Sequence, residues 1–178
     1  MRNIEDEWHS APDRSDGRIS EKVSKWSNPQ EWERLCNAES CPVCMRGEPR
    51  DAIAELETSF LLAGEDSPMR GYCFLLLKRH AVELYELSAE EGAAFMRDIQ
   101  RVSKAVHEIT GAVKLNYEIH GNTIPHLHLH LFPRYVGDAF ENQPINPRLV
   151  KTPVYAPGEF ADFVSRLRER LNENGGQL

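Results

Sequence analysis

Three histidines alternate with leucines in the stretch "IPHLHLHLFPRY", at positions His126, His128 and His130. Histidine is the side chain whose unperturbed pKa lies near neutrality, and it is the commonest metal ligand in proteins. In a strand, residues two positions apart share a face, so the three imidazoles point one way and the leucines the other. The row predicts a metal site, a nucleophile with polar helpers, or an ordinary polar strand face.

The spacing limits what the row can do as a unit. Neighbouring histidines lie about 6.5 Å apart along a strand and the outer two about 13 Å apart, whereas a zinc–nitrogen bond is about 2.1 Å long. Two of these imidazoles can converge on one ion, but three on one straight strand cannot easily do so. We therefore expect at least one uncoordinated histidine, and a neutral imidazole on an open polar face is a good nucleophile or base.

Two of the four cysteines, Cys41 and Cys44, form a C-x-x-C pair. In a cytosolic chain this spacing indicates metal binding or redox chemistry before a structural disulfide. The pair supplies only half of the ligands of a tetrahedral zinc site. The spacing alone leaves three interpretations open: a zinc site, a redox pair or free thiols. Cys36 and Cys73 are expected to be buried thiols.

Composition and charge narrow the class of protein. The chain has 178 residues, of which 40% are hydrophobic and 28% charged, which is typical of one folded domain. The net charge of −7 argues against nucleic-acid or membrane-surface binding, which requires a basic patch. No apolar run approaches the roughly 20 residues of a membrane span, and the N-terminus is too charged for a signal peptide. We expect a cytoplasmic protein without nucleic-acid or membrane partners.

The hydrophobic pattern predicts the elements that position these residues. A capping box of Ser88 and Glu91 begins a long helix, which Gly111 ends. Two strands after it alternate apolar and polar residues and are joined by a short loop, so they can pair antiparallel. We infer an α+β fold in which helices pack on the apolar face of an antiparallel sheet. The polar face, which carries the histidine row, is left open for chemistry.

The polar N-terminal segment is set apart from this domain. Residues 1–27 lack sustained periodicity, and they are interpreted as a flexible extension or an arm that packs on a partner. The domain itself is assigned to residues 28–178. Its other predicted elements are a helix at 28–36, strands at 59–64 and 72–80, and a helix after Gly158.

The same residues carry a family resemblance. "HLHLHLF" fits His-φ-His-φ-His-φ-φ, where φ is apolar, the motif of the histidine-triad (HIT) superfamily of nucleotidyl hydrolases and transferases. "LNYEIHGNTIPHLHLHLFPRY" and "LLLKRHAVELYELSAEE" resemble segments of its bacterial branch, and "CPVC" resembles the Cys pair of its zinc-containing members. The resemblance, to diadenosine polyphosphate hydrolase-like proteins, covers residues 28–171. It implies an HIT-like sheet, a small-molecule nucleotide substrate and a homodimer.

The resemblance also implies roles for individual residues. His128 corresponds to the nucleophile, which would attack an α-phosphorus and form a covalent nucleotidyl-histidine. His130 would lie near the phosphate or the leaving group. We expect His120 either to be a neighbour of this site without a chemical role or to contribute locally to specificity. The remaining assignments are Thr123 as a catalytic phosphate donor, Asn122 and Asn116 as further phosphate contacts, and Glu65 or Asp66 for the ribose hydroxyls.

A structural zinc ion follows from the same resemblance. Its ligands would be Cys41, Cys44, His80 and His126. This set agrees with the expectation that at least one histidine of the row stays uncoordinated. Such a site would be closed and would hold His126 two residues from His128, which fixes the strand that carries the nucleophile.

Two other functions remain open at this level. In one, His126 and His128 bind a catalytic zinc ion in a mononuclear hydrolase whose nucleophile is an activated water. In the other, the protein binds nucleotides without turnover. Within the first hypothesis, dinucleoside polyphosphates and nucleoside phosphoramidates are both candidate substrates, and hydrolysis, phosphorolysis and nucleotidyl transfer are all open.

Overall fold

The computed structural model describes residues 25–150 and 154–173. The predicted N-terminal extension therefore lies outside the described residues, apart from a short 3-10 turn at Lys25–Ser27. No helix in the described ranges is long and apolar enough to cross a membrane. The regular elements are α1 (Pro29–Cys36), α2 (Pro42–Arg46), β1 (Ala54–Glu55), β2 (Ser59–Leu62), β3 (Cys73–Leu77), α3 (Ala89–Thr110), β4 (Lys114–Glu118), β5 (His128–Arg134) and α4 (Glu159–Glu173).

The five strands form one antiparallel sheet in the order β1-β2-β3-β5-β4. This confirms the predicted α+β class, although β1 was not predicted because two residues carry no periodicity. The histidine strand β5 lies between β3 and β4. Leu76 of β3 pairs with His128, and Glu118 of β4 pairs with His130. Side chains from both neighbouring strands therefore flank the histidine row.

The long helix α3 forms as the sequence predicts. Ser88 and Glu91 make the reciprocal capping-box hydrogen bonds, and Gly111 ends the helix in the left-handed region with φ of 65°. The apolar stripe of α3 packs with α4 on the leucine face of β5, which places the main core on that side of the sheet. Its members include Phe95, Ile99, Val102, Val106, Leu127, Leu129, Leu131, Phe163, Leu167 and Leu171.

The opposite face of the sheet differs from the expectation of an open polar surface. Strands β2 and β3 are buried at every position, because apart from Ser59 their residues are apolar and do not alternate with polar ones. A second apolar cluster therefore lies on the histidine face and includes Phe60, Leu62, Tyr72, Phe74, Leu76, Ile124 and Phe132. On this face His126 and His128 are buried, and His130 is half-buried.

The edge strand β4 also departs from the prediction. Its alternation predicts Leu115, Tyr117 and Ile119 on the buried apolar face. Leu115 is buried, but Tyr117 is 50% exposed and Ile119 is 38% exposed. Both belong to the leucine side of the sheet, as the pairing of Tyr117 with Leu131 shows. Among the described elements, the helices cover the middle of that face and not its β4 edge.

A buried carboxylate fastens α3 to the sheet and gives the first testable prediction. Asp98 is 3% exposed, and its carboxylate accepts hydrogen bonds from the backbone N–H of Glu57 and Thr58 and from the hydroxyls of Thr58 and Ser59. Replacing Asp98 by Ala leaves one buried and three partly buried donors unpaired, so we expect the free energy of unfolding to fall by about 3 kcal/mol. Urea denaturation measures this.

The exposed position Gln100 on the same helix provides the control. Gln100→Ala should change the free energy of unfolding by less than about 0.5 kcal/mol. Equal urea midpoints for Asp98→Ala and Gln100→Ala would show that the Asp98 network does not stabilise the fold.

Candidate active site and metal centre

A cavity of about 810 Å³ opens on the histidine face of the sheet. The structure brings five of the predicted site residues to its wall, which are His128, His130, Thr123, Asn122 and Asp66. Asn116 and Glu65 are absent from the wall. The proline-rich segment after β5 forms another part of the lining, through Pro144, Ile145, Asn146, Pro147 and Val150.

His128 is held in one tautomer by the backbone. The side chain is 5% exposed, and its Nδ1 lies 2.6 Å from the carbonyl oxygen of His126. A carbonyl oxygen only accepts hydrogen bonds, so Nδ1 carries the ring proton and the lone pair of the neutral ring lies on Nε2. Burial lowers the pKa of His128 below its ordinary value, which keeps the ring neutral and nucleophilic at neutral pH.

His130 lies next to His128 on the same wall. The two rings meet edge to face with centroids 4.8 Å apart. His130 Nδ1 lies 2.8 Å from the Tyr72 hydroxyl, and the two rings are stacked. The sequence analysis missed Tyr72, although its period of two with Phe74 and Leu76 places it on the histidine face.

The structure separates the two acidic candidates in the loop between β2 and β3. Asp66 lines the cavity, whereas Glu65 is exposed outside it. Sequence could not choose between them because a loop has no periodicity from which to deduce side-chain direction. The structure therefore offers Asp66 as the carboxylate that can reach a bound ligand.

Asn116 shares the histidine face but contributes to a different network. Its Oδ1 accepts a hydrogen bond of 2.6 Å from Arg134. The buried Arg134 side chain also donates to the carboxylate of Asp138 and to the backbone carbonyls of Phe140 and Gln143. Arg134 lowers the pKa of Asp138 to about 2. These contacts hold the segment that leads into the proline-rich wall, so Asn116 and Arg134 support the cavity from outside.

A carboxylate–imidazole pair completes the polar wall. Glu118 Oε2 lies 2.9 Å from His120 Nε2, and both residues line the cavity. The strand alternation had already placed Glu118 on the histidine face, but the sequence analysis assigned it no role. His120 is thus brought into the site rather than left beside it.

A second cluster lies next to the nucleophile and contains the four predicted zinc ligands. The ligand atoms of Cys41, Cys44, His80 and His126 all lie within 4.8 Å of one another. Three sulfur–nitrogen separations are 3.3, 3.6 and 3.7 Å. Tetrahedral bonds of about 2.3 Å to sulfur and 2.1 Å to nitrogen place such atoms about 3.5 Å apart. The donor set therefore fits a structural zinc ion.

The surroundings of the two histidine ligands support the same fit. His126 Nε2 is 2.8 Å from the carbonyl oxygen of Leu77, and His80 Nε2 is 2.7 Å from that of Cys36. Each Nε2 must donate, so each Nδ1 offers its lone pair to the cluster. Burial lowers the pKa of His126 to about 4, which keeps that lone pair available at neutral pH.

This arrangement removes the basis for a catalytic metal shared by His126 and His128. Both ring nitrogens of His126 are engaged, one with the cysteine cluster and one with Leu77. His128 turns its Nδ1 to a backbone carbonyl and is not among the clustered ligand atoms. Among the described residues, the geometry thus supports a structural metal centre and a separate histidine that can act as a nucleophile.

Comparisons with known proteins agree with this geometry. A model of the HIT domain matches residues 46–137. The chain is 26% identical over 121 residues to adenosine 5′-monophosphoramidase hnt1 of Schizosaccharomyces pombe, an alignment that covers 63% of this chain and 91% of that protein.

Two solved structures are similar to this fold. The histidine triad protein blr8122 of Bradyrhizobium japonicum is 34% identical with a TM-score of 0.60, over 67% of this chain and 89% of that one. A zinc-bound histidine triad family protein of Mycobacterium smegmatis is 23% identical with a TM-score of 0.54, over 74% of this chain and 90% of that one.

Proposed function

Because the chain belongs to the HIT domain family, we propose that it is a nucleotidyl hydrolase or transferase that cleaves a nucleoside 5′-phosphoryl bond through His128. The observation that carries the proposal is the state of this ring. Its proton is fixed on Nδ1 by the His126 carbonyl, burial lowers its pKa, and it lines a cavity large enough for a nucleotide. A nucleophilic imidazole needs this combination.

In the first step, His128 Nε2 attacks the α-phosphorus. A nitrogen–phosphorus bond forms, and the bond from phosphorus to the leaving group breaks. The leaving group departs with the bonding electron pair, and an amine leaving group takes up its proton from water. The ring becomes positively charged, and the His126 carbonyl stabilises it by accepting the Nδ1–H hydrogen bond.

In the second step, an acceptor attacks the phosphorus and the nitrogen–phosphorus bond breaks. Water as the acceptor gives a nucleoside monophosphate, which makes the protein a hydrolase. Phosphate or another nucleophile makes it a phosphorylase or a transferase. Thr123, Asn122 and His130 line the same cavity as His128, and we assign them as donors to the phosphoryl oxygens in both steps.

The remaining walls suit a nucleoside. Tyr72, Phe132, Ile145 and the neighbouring prolines give an apolar surface for a planar base. Asp66 is the carboxylate that we assign to the ribose hydroxyls, in place of Glu65. The hnt1 relative is named as a phosphoramidase, which supports nucleoside phosphoramidates as substrates, and dinucleoside polyphosphates remain the second candidate.

We assign Cys41, Cys44, His80 and His126 to a structural zinc ion. When bound, it would supply a rigid cross-link between α2, the end of β3 and the start of the histidine strand. The named zinc-bound structure and the donor geometry support this assignment. The ion takes no part in the two chemical steps.

A homodimer in the cytoplasm completes the proposal. Within residues 25–150 and 154–173, the edge strand β4 pairs with a strand on its β5 side only, and the exposed Tyr117 and Ile119 at this edge offer apolar surface to a second copy. An edge of this kind is normally covered or charged in a monomer.

The covalent intermediate is the direct test of the chemistry. The protein is mixed with an adenosine 5′-phosphoramidate labelled at phosphorus, quenched rapidly, and digested for mass spectrometry. We expect an acid-labile, base-stable nucleotidyl group on the peptide that contains His128. Turnover without any such adduct, under conditions in which the first step is faster than the second, contradicts the covalent route. Nucleotide binding without turnover would instead identify a binding protein.

The assignment of Asp66 gives a prediction for substrate binding. Asp66→Asn removes the charge that strengthens a hydrogen bond to the ribose, so we expect KM to rise about tenfold with little change in kcat. Steady-state kinetics with the ribonucleotide substrate and its 2′,3′-dideoxy analogue measure this. Wild type should prefer the ribonucleotide, and the variant should lose most of that preference.

The exposed Asp51, which is not in the cavity wall, serves as the matched control. Asp51→Asn makes the same change in net charge and should keep the wild-type KM. An Asp66→Asn enzyme that still discriminates fully between ribose and dideoxyribose would reject the assignment.

A further inference from the structure

The cavity wall beyond His130 carries a carboxylate–imidazole pair, Glu118 and His120, that takes no part in the two chemical steps. Glu118 is the direct cross-strand partner of His130, so their side chains lie on the same face with Cβ atoms about 5 Å apart. Its carboxylate is hydrogen-bonded to His120, and the His120 and His130 rings are 5.8 Å apart between centroids. The pair is therefore fixed beside the reacting histidines.

His130 separates two unlike parts of the cavity. On one side its ring stacks with Tyr72 and Phe132, whose rings also stack with each other. On its other side are His120 and Glu118. The aromatic side suits a nucleoside base, so the polar side receives what is attached to phosphorus opposite the nucleoside.

We propose that Glu118, held by His120, selects the leaving group by its charge and favours an amine over a phosphate. This inference depends on the proposed function and adds a specificity residue to it. A carboxylate at this position attracts an amine that carries a positive charge or donates N–H hydrogen bonds. It repels the anionic phosphate chain that leaves when a dinucleoside polyphosphate is cleaved.

The geometry also gives His120 a definite part. An ionised carboxylate only accepts hydrogen bonds, so His120 Nε2 donates to Glu118. This contact holds the Glu118 side chain in one conformation before a substrate binds. Substrate binding therefore costs little further side-chain entropy at Glu118. His120 is a positioning residue, and Glu118 is the group that faces the substrate.

A series of three substrates that share the adenosine 5′-phosphoryl group tests the proposal. The leaving groups are ethylenediamine, with a positively charged tail; propylamine, with a neutral tail; and adenosine diphosphate, supplied as diadenosine triphosphate. We expect kcat/KM of the wild type to fall in that order. Glu118→Gln should reduce the preference for ethylenediamine over propylamine about fivefold and raise the relative rate for diadenosine triphosphate.

Variants of the partner and a distant carboxylate separate selection from other effects. His120→Gln keeps a donor for Glu118 and should retain most of the preference, whereas His120→Ala should lose part of it. Glu169→Gln removes one charge from the exposed surface of α4, on the leucine side of the sheet, and should leave the preference unchanged. A general effect of net charge predicts equal changes for Glu118→Gln and Glu169→Gln.

The outcomes distinguish this inference from the function on which it rests. If the wild type turns over none of the three substrates, the proposed function fails. If it turns over all of them and Glu118→Gln lowers every kcat/KM by the same factor, Glu118 contacts the shared adenosine moiety and the inference is wrong. A change in the ratios alone, with one substrate rising as another falls, supports it.

Discussion

Replacing His128 by Ala is expected to lower kcat by about 10⁴-fold while nucleotide binding is retained. The substitution removes the nitrogen that attacks phosphorus, and the donors and aromatic walls of the cavity stay in place. The variant should also form no nucleotidyl adduct. Rapid-quench kinetics measure the rate, and fluorescence or calorimetric titration with a nucleoside monophosphate measures the binding.

His128→Gly extends the same test. It leaves a space in the wall where the imidazole ring lay, and free imidazole added to the solution can enter that space. We expect added imidazole to restore part of the lost rate, because the small molecule supplies the missing nucleophile. A role of His128 in binding or folding alone predicts no rescue.

A matched histidine elsewhere controls for loss of an imidazole as such. His107 is exposed on α3, and its backbone carbonyl, which Gly111 uses for the helix end, survives substitution. His107→Ala should keep the wild-type kcat. If His128→Ala retained more than about a tenth of wild-type kcat, the covalent mechanism would be wrong.

How much of this site follows from the sequence differs from residue to residue. The arrangement of the histidine row could be predicted because strand geometry places three alternating histidines on one face. The same geometry keeps them too far apart for all three to bind one ion. The structure shows them divided between roles, since His126 turns to the cysteines while His128 turns to a carbonyl. The pairing of Cys41 and Cys44 with His80 needed the family resemblance, because no local pattern joins segments so distant in the chain.

The errors have physical causes of a different kind. The second apolar cluster on the histidine face arises because β2 and β3 are apolar at every position except Ser59, a pattern that does not reveal which face is buried. The role of Asn116 at the phosphate stays a prediction, although its Oδ1 accepts a hydrogen bond from Arg134 and the side chain is not in the cavity wall. Loops such as the one containing Asp66 carry no periodicity, so only three-dimensional placement identifies the residue that reaches the cavity.

The metal centre leads to the second prediction of large effect, since His126 belongs to two systems at once. Its ring faces the cysteine cluster, and its backbone carbonyl holds the Nδ1 proton of His128. Loss of the ion should therefore reach the nucleophile through one residue. Loss of a group that merely orients a metal ligand typically costs 10- to 100-fold in metal affinity or activity, and we expect kcat of Cys41→Ala, which lacks a ligand itself, to fall by at least about that factor.

Zinc content and thermal unfolding of Cys41→Ala test the metal site independently of activity. Wild-type protein should contain about one zinc ion per chain, and Cys41→Ala should lose it. The free energy of unfolding should fall by about 3 kcal/mol or more, which lowers Tm by about 6–12 °C for a domain of this size. Cys36→Ala is the control, because the Cys36 carbonyl that accepts from His80 remains after the thiol is removed. Unchanged zinc content in Cys41→Ala would reject the ligand set. If Cys41→Ala loses its zinc but keeps full activity, the hydrogen bond from His128 to the His126 carbonyl persists without the ion.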